Sequence, residues 1–176
     1  DSASHVRAAA ARMLGQFAAT PPGPLVKALT RVALYDCDLE TRYAAARTLG
    51  ALRDRIASPH LIDHLSACLA DNDSFVRSSA ALVLGQLGEI AGTPQLIERL
   101  TDVISDADPY AREAAARALG RIGAAAATQA VLNALTRAME DPDANVHEAA
   151  VDALTRLRKI RATLPLTPSK HPTEPL

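Results

Sequence analysis

Few residues in this chain combine the types and spacing that catalysis or metal binding demands. His60 and His64 stand four apart with Asp63 between them, which puts two imidazoles on one face of a helix, as a metal pair requires. The zincin pattern needs a glutamate after the first histidine, and Leu61 holds that place. The inverted pattern needs one before the second, and Asp63 is one methylene short. No third histidine or partner carboxylate is identifiable, so the pair reads as a solvent-facing polar helix able at most to pick up adventitious nickel. Cys37 and Cys68 have no positioned histidine and no CxxC companion; both read as inert thiols near helix ends. A glycine-rich phosphate loop, a nucleophile elbow and paired carboxylates are missing too, and no cofactor or metal site is expected.

Composition narrows the classes further. The chain has 176 residues and no tryptophan; 48% are apolar and 22% charged, the balance of a soluble folded protein. Aromatics make up only 3%, while alanine is roughly a fifth of the chain, high against average usage. Small side chains between closely spaced helices fit this composition, and β-sandwiches and barrels, which favour β-branched and aromatic residues, do not. With 19 basic against 20 acidic residues the net charge is −1, which is no footprint for non-specific nucleic-acid binding. Two cysteines cannot make a disulfide scaffold and fit a reducing, cytoplasmic setting. The longest uncharged run, Ile122 to Thr136, is too short to span a bilayer and contains Gln129 and Asn133, so no membrane is expected as partner. The first residue is Asp, which reads as a piece of a longer protein.

What positions these residues is a repeat of 35. Asp1, Asp36, Asp71, Asp106 and Asp141 keep that spacing, as do Arg7, Arg42, Arg77 and Arg112, with His147 in the last unit. So do Leu14, Leu49, Leu84, Leu119 and Leu154; Gly15, Gly50, Gly85 and Gly120, with Thr155 closing; and Ala10, Ala45, Ala80, Ala115 and Ala150. Pro24, Pro59 and Pro94 follow, with Gln129 in the fourth place. The units are 1–35, 36–70, 71–105, 106–140 and 141–161, and no insertion breaks the register.

Each unit reads as two helices. Helix A begins at the proline, Pro59 to Ala70 and Pro94 to Ser105, because the first helical turn has no use for the missing N–H. Leu61, Ile62, Leu65 and Leu69 give it an apolar stripe. An Asp-rich turn, Asp71-Asn72-Asp73, ends it, and Asp73 or Ser74 caps helix B, Phe75 to Leu87. The glycines read as helix terminators, with Gly88 and Gly123 where a left-handed residue is wanted. At roughly 100° per residue, Val6, Ala10, Met13, Leu14 and Phe17 form the stripe of helix B that packs on helix A; in the third unit these are Val76, Ala80, Val83, Leu84 and Leu87. The alanines at 11, 46, 81 and 116 point toward the next repeat. The first helix lacks an A partner, so its stripe is expected bare and open to end-to-end or homodimer contact. The departures at His147, Thr155 and Arg158 read as a C-terminal cap, and 162–176, with Pro165, Pro168, Pro172 and Pro175, as a flexible tail.

Asp71, Val76, Arg77, Ala80, Leu84 and Gly85, with their copies, resemble HEAT repeats, particularly the short Ala-rich variety of phycobilisome lyases. The resemblance covers about nine-tenths of the chain. It implies an all-α fold: an α-solenoid, a right-handed superhelix of about nine helices. It also implies that Asp36, Asp71 and Asp106 with Arg42, Arg77 and Arg112 form a structural ladder between neighbouring units, since half-buried charges need partners. HEAT-repeat di-iron hydroxylases place His-Glu pairs at the column of His147-Glu148, but here the other units hold Arg7-Ala8, Arg42-Tyr43, Arg77-Ser78 and Arg112-Glu113, and one pair cannot assemble a two-metal site. Alkylpurine glycosylases built on similar repeats use an aromatic-lined basic cleft, which a chain without tryptophan or net positive charge does not match.

One stripe of helix B has no packing duty: positions 5, 8, 12 and 16 of each unit, on the surface that such solenoids make concave. It holds Tyr43, Arg47, Phe75, Leu82, Tyr110, Arg117 and Arg121, besides His5, Ala8, Arg12, Gln16 and their other counterparts. Aromatic and arginine residues are what protein hot spots are made of, so a protein or peptide partner is the leading expectation, with no enzymatic activity. The bland alternative is that Phe75 and Tyr110, at helix starts, merely cover the adjacent turn. Two rival readings are a lyase or chaperone acting on a phycobilin-bearing protein, as the resemblance implies, and nucleic-acid binding through Arg12, Arg47, Arg117 and Arg121.

Overall fold

The computed structural model describes residues 2–17 and 23–163; the side chains of Ser2 and residues 14–17 also lie outside the description, and with them the expected packing of Leu14 and Phe17 and the place of Gln16 on the free stripe. The tail expected from residue 162 lies outside it from residue 164 on. Every described element is helical: α1 (Ser2–Phe17), α2 (Gly23–Tyr35), α3 (Leu39–Ala51), α4 (Arg53–Ile56), α5 (Pro59–Cys68), α6 (Ser74–Leu87), α7 (Pro94–Val103), α8 (Pro109–Ile122), α9 (Gln129–Ala138) and α10 (Ala144–Thr163). The single-turn α4 aside, these are α1 followed by four A–B pairs, stacked so that α1, α3, α6, α8 and α10 lie side by side.

Two capping columns start the helices. Ser58, Thr93 and Thr128 precede the A helices, and their hydroxyls accept the backbone N–H of Leu61, Leu96 and Val131. Asp38, Asp73, Asp108 and Asp143 precede the B helices and accept from Thr41, Phe75, Tyr110 and Asn145. Asp73, rather than Ser74, therefore caps α6. Proline stands first in α5, α7 and α8, where its absent N–H costs nothing.

The core follows the stripes. Val83, Leu84 and Leu87 of α6 are fully buried, as are Leu119 and Ile122 of α8 and the A-helix leucines Leu65, Leu100 and Leu135, with α5 packed on α6 and α7 on α8. Ala45, Ala80, Ala115 and Ala150 are sealed as well, and so are Ala46, Ala81 and Ala116. In α1 the same stripe is bare: Val6 is 68% and Met13 56% exposed. Ala8, placed on the free stripe by helical arithmetic, is instead buried, because α3 packs closely on that side of α1. Thr48 ties the two helices by donating to the Ala11 carbonyl at 2.9 Å.

The glycines divide into two kinds, where the sequence suggested one. Gly50, Gly85 and Gly120 lie inside helices. A Cβ on Gly85 would stand 2.9 Å from the Ala118 Cα, and one on Gly120 3.0 Å from the Ala153 Cα, so these positions let successive B helices touch through their backbones. Gly88 and Gly123 end α6 and α8 with φ of 64° and 76°. Their ψ of −138° and −128° lies outside the left-handed helical basin, in a region open essentially to glycine alone, and turns the chain into the single 3-10 turns Gly88–Ala91 and Gly123–Ala126. In the second unit Arg53 takes this place and α4 replaces the 3-10 turn.

Candidate functional site

The ladder is built from an aspartate in each inter-helix turn. Asp36, Asp106 and Asp141 each accept the N–H of the residue two further on and a two-pronged contact from the arginine of the preceding unit. The rungs are Arg7–Asp36 at 2.9 Å and Arg77–Asp106 and Arg112–Asp141 at 2.7 Å. The third guanidinium nitrogen of Arg77 donates to the Asp71 carbonyl, and that of Arg112 to the Asp106 carbonyl, so each arginine joins its own turn to the next unit's. The arginine hydrogen bond holds each of these three carboxyls below the usual carboxylate range.

The expected rung from Arg42 to Asp71 does not form. Arg42 keeps the bond to its own turn, to the Asp36 carbonyl at 2.7 Å, but its guanidinium lies over the Phe75 ring, 5.4 Å from the centroid. It is 7% exposed and its Nε–H has no acceptor. Asp71 accepts from the Asp73 N–H without its arginine. The aromatic face of Phe75 has taken the place of the carboxylate.

A groove of ≈ 1100 Å³ opens at this seam, between α3 and α6 and on to α8. All seven residues expected at a partner site line it: Tyr43, Arg47, Phe75, Leu82, Tyr110, Arg117 and Arg121. Tyr43, Phe75 and Tyr110 are 41%, 55% and 58% exposed, whereas Leu82 packs partly on the core. Arg117 pairs with Glu113 at 2.9 Å, one helical turn away. Desolvation by the groove walls, with Glu113 nearby, pushes the Tyr43 hydroxyl above its ordinary value. Tyr35, Leu39 and Arg42 also line the groove and were not on the stripe. Tyr35 belongs to an A helix, and Leu39 and Arg42 occupy positions that the intact joints fill; the signal for them is Phe75, the aromatic within reach of a ladder arginine.

The other candidates stay apart. Among the described residues no group of three or more His, Cys, Asp or Glu is placed to hold a metal ion. His60 and His64 are exposed on α5. His147, in the arginine column, contacts the Met139 carbonyl through its Nδ1. Cys37 is exposed beside the Arg7–Asp36 rung, and Cys68 is buried, its thiol pushed up by desolvation. No described helix is long and apolar enough to cross a membrane.

These features define a class: a solenoid of helical hairpins, locked by a charge ladder, whose B helices wall an open groove. The model of the HEAT repeats matches residues 1–85, 24–104, 62–155 and 97–170, and the chain belongs to this family. No curated protein matches the chain. Among solved structures, an engineered protein is 24% identical with a TM-score of 0.57, the match covering 91% of this chain and 75% of that one. A second engineered protein is 23% identical, also at 0.57, over 89% and 76%. Human deoxyhypusine hydroxylase in complex with glycerol is 27% identical with a TM-score of 0.53; the match covers 80% of this chain and 46% of that chain, so the chain spans just under half of the enzyme.

Proposed function

We propose that this array is a non-enzymatic protein-interaction module that holds a partner protein or peptide along the groove of its B helices. The observation that carries the reading is the clustering of Tyr43, Phe75 and Tyr110 with Leu82 and three arginines in a single hollow. An exposed apolar centre with a charged rim is costly to leave facing water and is the usual anatomy of a protein contact. Rigid repeats hold such side chains at fixed spacing, so many modest contacts add along the surface. The likeness to the hydroxylase does not carry iron chemistry over. A two-metal centre needs several imidazole and carboxylate ligands, and the column of His147 holds Arg7, Arg77 and Arg112, each committed to an aspartate.

The test is a paired substitution, Tyr43→Ala with Tyr110→Ala, in a tagged chain. Capture of partners from the source lysate should weaken, while helicity and melting stay nearly unchanged, since both rings are exposed. Undiminished capture would place the contact elsewhere on the array.

A further inference from the structure

The two ends of the groove differ in character. Where the B helices begin, it presents Leu39, Phe75 and Tyr110, with Tyr35 opposite. Where they end, it presents Arg47 and Arg121 and runs on, through Gln86 and Arg121, into a second hollow of ≈ 520 Å³ lined by Arg53, Arg156 and Lys159. Charge is not balanced between the ends. Each acid of the main groove already has a partner: Asp36 holds Arg7, Asp73 caps α6 and Glu113 pairs with Arg117. Among the described residues Arg47, Arg121 and Arg156 make no ion pair, and of the residues lining the second hollow Glu89 alone is acidic. Arg121 lies within electrostatic reach of Arg117 and Arg156. Desolvation and the repulsion of these two neighbours push its guanidinium below its ordinary value. Arg121 and Arg156 repel one another without a counter-charge, and Arg117 beside them has only Glu113, so an anion reaching this wall is stabilised by it.

We infer that the occupant is an acidic peptide segment, an apolar side chain seated among Tyr43, Phe75, Leu82 and Tyr110 and carboxylates following it along the wall to Arg47, Arg121 and Arg156. This rests on the reading of the groove as a protein contact and names the partner's chemistry. Planar guanidinium groups match carboxylates two-pronged, as Arg77 and Arg112 already do within the array. A nucleic-acid strand fits less well, because its continuous phosphates would meet Asp36, Asp73 and Glu113 in the same walls, on a chain of net charge −1.

The experiment is selection of displayed random peptides on the immobilised chain and, in parallel, on the Arg47→Glu/Arg121→Glu variant, with melting curves to show that both fold. The wild-type chain should enrich peptides that join an aromatic or aliphatic residue to a cluster of Asp and Glu. Synthetic copies should bind less tightly as salt rises, and at least about tenfold less tightly to the charge-reversed variant. Enriched peptides without acids, or ones that bind the variant equally well, overturn the inference; if Tyr43→Ala with Tyr110→Ala abolishes their binding, the interaction reading itself survives. A poly-uridine oligonucleotide that binds more tightly than any selected peptide overturns both, as does a selection that enriches nothing.

Discussion

Each rung of the ladder makes a definite prediction at the level of single side chains. Asp106 and Arg77 are both largely withdrawn from water, with side chains 11% and 16% exposed. Replacing Arg77 by Ala strands a carboxylate and two turn carbonyls, and the loss expected is about 1–3 kcal/mol, read from the urea midpoint. Because Asp36, Asp106 and Asp141 are held below their ordinary range when folded, they favour the folded state above the unfolded carboxyl value of about 4, and that contribution is lost as pH falls through the lowered folded value. Asp106→Asn should therefore be less stable than the parent at neutral pH, yet lose less of its remaining stability below about pH 4. Equal acid sensitivity of the two proteins would mean that the rung does not carry the effect. The aspartate and arginine columns were legible because a period of 35 repeats the aspartate five times and the arginine four. The exception was not: Arg42 stands in register like its copies, and only the position of Phe75 shows that a ring has replaced the carboxylate.

Individual helices were read correctly in type and nearly so in extent. Capping residues and proline mark their starts chemically, and the ends moved by two residues, from Ala70 to Cys68 and from Ser105 to Val103. Glycine was the misleading letter, since a residue without a side chain serves both a turn and a close approach. Gly85→Ala and Gly120→Ala separate the two roles. Alanine favours helix by about 1 kcal/mol, but here its methyl would press on backbone of the next helix, where overpacking costs about 1–3 kcal/mol. Both variants should melt below the parent. Gly88→Ala should melt lower as well, by strain at φ 64° with its added Cβ 3.5 Å or more from its neighbours. A variant at Gly85 that melts higher would show that α6 and α8 can separate at no cost.

Taken as a whole, the molecule is a row of joints of unequal strength. Between α6 and α8, and between α8 and α10, backbone touches backbone and a rung closes the turn. Between α3 and α6 Gly50 still lies against Gln86, but the rung is missing and the groove opens there. In a linear array each unit gains stability only from its neighbours, so opening is local where a joint is weak. Native-state hydrogen exchange should find the amides of α1 to α3 opening as a group ahead of those in α6 and α8. One common protection free energy for all of them would show instead that the seam is as strong as its neighbours.

The ladder also bears on how such a chain can lengthen. Each of the first four units carries an aspartate and, six positions on, an arginine placed to reach the aspartate of the next unit, twenty-nine positions ahead, and three of these four arginines make that contact. Both halves of a joint are therefore inherited together. A tandem duplication of one unit arrives already able to dock on its parent copy, with no compensating change elsewhere, leaving the exposed stripe of the new copy free to diverge.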